Sequence, residues 1–143
     1  MSVKNKRGIT VSSLVLYVVL FFGITTFISI LYTNMNETLF NNRGVALNYT
    51  ALNKLEYNLV KSSNSSNNIT IKNDVIEFSN GDKYYYADDK DMIILNNGVL
   101  CTSVAAFEPN LNEVNGTKKL QINVTFNKYL AILNREVIVV VEV

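Results

Sequence analysis

The chain has 143 residues, with 13 Lys and Arg against 12 Asp and Glu, no His, no Trp and one Cys. So even a charge balance supplies no strong field for nucleic acid or anionic lipid, and the lack of His removes the commonest general base and metal ligand near neutral pH. Cys101 has no partner for an intramolecular disulfide and reads as a small buried hydrophobe in a strand.

From Ile9 to Met35 the sequence contains no Asp, Glu, Lys, Arg or Pro. An apolar run of about 20 residues is enough to cross a bilayer core as a helix, and in hydrocarbon only a helix satisfies a lone segment's backbone. Thr10, Ser12, Ser13, Thr25, Thr26 and Ser29 are compatible with it, because small hydroxyls bond back to the preceding turn. Lys4, Lys6 and Arg7 precede the run and the first charge after it is Glu37, which places the N-terminus inside and the remainder outside the cytoplasmic membrane. A secretory signal would have an apolar region of only about 7–15 residues and a small-residue cleavage site. Tyr32-Thr33-Asn34-Met35 offers no such site.

The junction Lys6-Arg7-Gly8-Ile9-Thr10-Val11 resembles the leader of type IV prepilins. The resemblance implies cleavage by a prepilin peptidase between Gly8 and Ile9, retention of the apolar helix, and N-methylation of Ile9. It covers about the first thirty-five residues. Most family members carry Glu at the fifth mature position, which here is Ser13. An ionised group inside a membrane helix is costly and usually functional, and Ser13 cannot form the charge pair with a neighbouring subunit's amine that the family's Glu is thought to make. The departure fits a minor, tip-located subunit better than a repeating one. The family's helix-kinking Pro is also missing, with Gly23 near the region where bending would be wanted.

Beyond the membrane run, residues 36–62 read as an amphipathic continuation of the helix. Val45, Tyr49, Leu52, Leu55 and Leu59 recur at three- and four-residue steps as one apolar stripe, with Gly44 as a point of possible bending. The Ser62–Asn68 run, rich in Ser and Asn, reads as a loop. The period then changes to two. Strands are expected at Ile69–Lys72 and Val75–Ser79, then an Asn80-Gly81 hairpin of type I′ into Lys83–Ala87. Met92–Leu95 and Val99–Thr102 follow, joined by Asn96-Asn97-Gly98. Ser103–Phe107 continues this meander, Pro109 closes it, and Asn110–Thr117 is a polar loop. Lys119–Phe126 alternates strictly, and Glu136–Val143 is a last strand, buried or paired at the end of the sheet. Tyr129–Leu133 either extends the preceding strand or crosses the helix.

The expected fold is α+β: a long N-terminal helix, membrane-spanning in its first half, packed on a C-terminal antiparallel β-sheet spanning residues 63–143. This layout is pilin-like, and the order of its strands is similar to that of the J-type minor pseudopilins. Asp88, Asp89 and Asp91 cluster in one turn and are weak candidates for Ca²⁺. The resemblance adds that some secretion pseudopilins bind calcium, but the spacing is not that of an EF-hand and a solvated turn is the plainer reading. Tyr84 and Tyr86 should share one strand face and Tyr85 the other, which favours packing over a stacking surface. Triplets such as Asn36-Glu37-Thr38, Asn68-Ile69-Thr70 and Asn115-Gly116-Thr117 fit the glycosylation pattern but are expected by chance in so Asn-rich a chain. DNA contact would require Lys72, Lys83, Lys118, Lys119 and Lys128 to gather on one face, and no nucleic-acid partner is expected.

No nucleophile–base pair, phosphate loop or metal motif occurs, so neither catalysis nor a cofactor is expected. The resemblance implies a minor pilin or pseudopilin of a pilus, secretion or competence filament. Its partners would be the prepilin peptidase, other pilins or pseudopilins, an inner-membrane assembly platform and, before assembly, membrane lipid. The alternative is a single-pass anchor with an exported ligand-binding or sensing domain.

Overall fold

The computed structural model describes the backbone of residues 4–114, 116–129 and 131–142, and side chains from Thr10 to Val141 within them. Helix α1 covers Lys4–Asn64. The chain divides into two compact units, Met1–Leu39 and Phe40–Val143, each taken by itself.

In the first unit every apolar side chain from Val11 to Leu39 is exposed. Four hydroxyls of the apolar run are absorbed by the helix itself. Thr25 donates to the carbonyls of Phe21 and Phe22, Thr26 to Phe22, Ser29 to Thr25 and Thr33 to Ser29, at 2.8–3.0 Å. These bonds pair the hydroxyl protons of those four residues within the helix, which is how such residues persist in an apolar run. Helix geometry continues through Gly23, so the absence of a side chain there does not break it.

The second unit sets the C-terminal turns of α1 against two antiparallel sheets. The first sheet is a meander, in order β1 (Ile69–Lys72), β2 (Val75–Phe78), β3 (Lys83–Ala87), β4 (Met92–Leu95) and β5 (Gly98–Thr102). The second has three longer strands, β6 (Val104–Val114), β7 (Thr117–Lys128) and β8 (Ala131–Glu142). Leu52, Leu55 and Leu59 of the helix join Ile76, Tyr84 and Ile93 of the first sheet and Leu120, Ile122, Val124 and Phe126 of the second in one core. Burying side chains of this size stabilises by about 1.5–3 kcal/mol each. The alternation expected of residues 119–126 is borne out in full, since all four of its apolar residues are completely buried.

Several local expectations need correction. The helix runs into the Ser/Asn segment as far as Asn64, with Ser62 and Ser63 buried. The Asn80-Gly81 turn is not type I′. Gly81 N–H donates to Phe78 C=O at 3.0 Å and Phe78 N–H to Asp82 C=O at 2.9 Å, and of the two residues only Gly81 has a positive φ, 96°. This is a three-residue loop with Gly in the left-handed position. The two-residue turn with both central φ positive lies earlier, at Asn73 and Asp74 (49° and 60°), between paired Lys72 and Val75.

Pro109 does not close a segment, and residues 110–114 are not a loop. Pro109 sits within β6 opposite Ile122, and pairing continues to Val114 opposite Thr117. β6 is an edge strand of its sheet, the one place where a missing N–H is tolerated. The chain passes between sheets at Ser103 (φ 60°), whose carbonyl accepts from Asn127 N–H at 2.8 Å. β8 begins at Ala131, earlier than expected, so Ile132 and Leu133 belong to the following strand and neither prolong β7 nor cross the helix. It pairs with β7 along its length, burying Leu133, Val137, Val139 and Val141 and leaving Ile132, Ile138 and Val140 exposed. The expected Leu130 and Val143 lie outside the described residues, as does Asn115 of the Asn-Gly-Thr triplet.

Candidate functional site

At Gly8 and Ile9, the expected cleavage and methylation positions, only the backbone is described. Ser13 is on the exposed surface of α1. Among the described residues one helix is long and apolar enough to cross a membrane, and its apolar window has no buried share. Grooves on it, such as the one lined by Val11, Ser12, Val15, Leu16, Val19 and Leu20, are the ridges and furrows of a bare helix rather than a ligand cavity. The candidate functional surface is therefore this extended apolar face.

What holds the second unit on α1 is more polar than the apolar stripe suggests. Leu52, Leu55 and Leu59 are buried as expected, but Val45 and Tyr49 are 41% and 40% exposed. The buried positions in those turns are Gly44 and Asn48. A Cβ on Gly44 would lie 2.3 Å from the Lys128 carbonyl oxygen and 2.9 Å from Ala131 Cβ, so glycine is needed for the close approach of the β7–β8 turn. Asn48, only 2% exposed, donates from Nδ2 to the Ala131 carbonyl at 2.9 Å. Around the same turn, the Phe40 and Tyr129 rings lie 6.3 Å apart and the Arg43 guanidinium sits 5.8 Å from the Tyr129 ring centre. Nearer the end of the helix, Ser63 Oγ donates to the Val140 carbonyl at 2.8 Å.

A second polar node closes the C-terminal end of α1. Ser62 Oγ donates to Asp82 Oδ2 at 2.6 Å and lies 2.7 Å from the Tyr84 hydroxyl. Asn80 and Asn96 also donate to Asp82, at 2.8 and 3.2 Å. The Ser62 hydrogen bond, aided by those from Asn96 and Asn80, holds the Asp82 carboxyl below its usual range despite partial desolvation. Burial pushes the Tyr84 phenol up to about 12. One carboxylate thus ties the helix end to two hairpins. Asp82 lies outside every hydrophobic period, and its one sequence signal is its place beside Asn-Gly, where an acid side chain commonly organises a turn.

The aspartate cluster is not drawn together around a central point. Asp88 and Asp89 are exposed in a single 3-10 turn, and Asp91 follows in left-handed geometry. The Asp91 carbonyl accepts from Val104 N–H at 3.0 Å, which gives the turn a role in joining the sheets. Among the described residues no group of three or more His, Cys, Asp or Glu is placed to hold a metal. Tyr84 is buried, Tyr86 packs on the same core and donates to the Val104 carbonyl at 2.9 Å, and Tyr85 takes the other face opposite Ile94. Cys101 is buried, donating to the Ala51 carbonyl at 3.3 Å, and burial pushes its thiol up to about 11. Of the lysines considered for DNA, Lys83 pairs with Glu77 at 2.7 Å and Lys118 binds Asn68 Oδ1 at 2.6 Å. Lys118 and Lys119, adjacent in β7, point to opposite faces.

The layout is that of a long N-terminal helix carrying antiparallel sheets, as in pilins. No protein-family model, curated protein or solved structure matches the chain.

Proposed function

We propose that this protein is a minor pilin or pseudopilin, a structural subunit that acts by packing rather than catalysis. The observation that carries the reading is the apolar surface of α1 from Val11 to Leu39, all of it exposed, directly after a basic leader ending in Gly8. So much apolar area is stable in water only when covered. Lipid covers it while the chain is a single-pass membrane protein, and neighbouring subunit helices cover it in a filament. In this reading the prepilin peptidase cuts after Gly8, Ile9 becomes the methylated N-terminus, and the assembly platform draws the chain from the membrane. Ser13 in place of the family's Glu suits a subunit at or near the tip, where no neighbour's amine lies above it to neutralise.

Mass spectrometry of the N-terminal peptide from membrane-extracted protein, with and without the prepilin peptidase, tests this. The expected product begins at Ile9 and is N-methylated only when the peptidase is present. A chain that still carries Lys4–Gly8 in cells with active peptidase would overturn the proposal, leaving a single-pass anchor with an exported α+β domain.

A further inference from the structure

We infer that the β7–β8 turn, together with the turn of α1 beneath it, is a docking surface for the phospholipid headgroup layer while the protein is in the membrane. The inference rests on the reading that the apolar run ending at Met35 lies in the bilayer. Phe40 and Tyr129 are 54% and 45% exposed although their rings are in contact, and Ile132, two residues into β8, is 71% exposed. Arg43 leans over Tyr129, and Lys128 occupies the strand end beside it. The nearest acid on α1 is Glu37, one turn before Phe40, so the patch as a whole stays cationic. Exposed aromatic rings beside cations on long aliphatic stems match the chemistry of a membrane interface, where rings sit among headgroups and Lys and Arg reach phosphates.

Chain length keeps this surface within reach of the headgroup layer. Phe40 follows Met35 by five residues, about 7.5 Å at helical rise and at most about 18 Å at full extension. A headgroup layer is about 5–8 Å thick. At the helical rise that α1 keeps between these residues, Phe40 starts within about one headgroup-layer thickness of Met35. The opposite end of the same hairpin, at Val114 and Thr117, lies a full strand away, about 40 Å at β-strand rise for the 12 residues of β7.

The absence of Trp from the chain makes single-tryptophan variants clean depth probes. Full-length protein would be reconstituted into vesicles of phosphatidylcholine and phosphatidylglycerol carrying lipids with a quencher at the headgroup or deep in the acyl chain. Tyr129→Trp and, as a variant that leaves the turn intact, Phe40→Trp are expected to be quenched several-fold more by the shallow lipid than Val114→Trp. Replacing Arg43 and Lys128 by Gln in the Phe40→Trp background should weaken the association by about fivefold for each charge removed. Phe22→Trp reports the anchor separately, through the deep quencher. If Phe22→Trp is quenched while Phe40→Trp and Tyr129→Trp match Val114→Trp, the headgroup surface is refuted and the membrane reading stands. If Phe22→Trp is not quenched, both fall.

Discussion

The two stretches of α1 invert the usual rule of burial. From Val11 to Leu39 large apolar side chains are exposed, whereas from Gly44 to Ser63 the helix buries Asn48, Ser62 and Ser63 along with Leu52, Leu55 and Leu59. The difference follows from what each stretch faces. The second stretch has its partner within the chain, and that partner presents backbone carbonyls at Ala131 and Val140 that need donors. Among the described residues the first stretch has no packing partner in its own unit, and an apolar face with nothing to satisfy can accept lipid or any similar helix. Specific, directional bonds fix the sheets to the C-terminal turns of the helix, and the non-directional apolar surface of the first stretch stays exposed.

The sharpest way to break this comparison is a matched pair of leucine truncations. Leu59→Ala should destabilise the second unit by about 2–5 kcal/mol, the cost of a core cavity, while Leu16→Ala should leave its unfolding unchanged. Thermal unfolding of the full chain in detergent, followed by near-ultraviolet circular dichroism, distinguishes them, and an equal loss from both would dissolve the distinction. A glycine pair sharpens it further. Gly44→Ala forces a Cβ into the Lys128 carbonyl and should cost about 1–3 kcal/mol as overpacking, outweighing a helix-propensity gain of about 1 kcal/mol. Gly23→Ala meets nothing within 4 Å and should show only the gain, read as increased helicity in detergent.

Removing the polar clamp should have a moderate effect. Asn48→Ala withdraws a buried donor from the Ala131 carbonyl and should cost about 1–3 kcal/mol in the same unfolding assay, whereas Asn53→Ala, at an exposed position of the same helix, should be near neutral. The smallest effect is set by pH. The Asp82 carboxyl is held below its unfolded value, so its contribution is present at neutral pH and fades as pH falls through the lowered value. The second unit's melting temperature should therefore drop below about pH 4, and Asp82→Asn should flatten part of that acid limb. Parallel acid limbs in the two proteins would remove Asp82 from the account.

The apolar features were the legible ones. The uncharged run before Met35 and the alternation from Leu120 to Phe126 need nothing but periodicity, and both are present. The polar joints were not legible. A stripe drawn through Val45 and Tyr49 misses Gly44 and Asn48, because hydrophobic periodicity cannot find a residue that is buried for its donor or for its lack of a side chain. Strand β6 was hidden for a different reason. Pro109 and a polar stretch lower its intrinsic strand preference, and pairing with β7 overrides that preference. For the apolar surface of α1, the sequence marks which residues must be covered, but the identity of the cover belongs to other molecules.

Asn48 and Ser63 act on β8 as a pair of alignment pins. They sit about four turns apart on the helix and engage the strand near its two ends. Leucines can slide past one another and still find grease, but a strand displaced by one residue pair would pull both carbonyls from both donors at once. The domain therefore has a single seat on its stalk. Pulling or twisting along the helix should meet an abrupt, all-or-none resistance rather than a gradual slip.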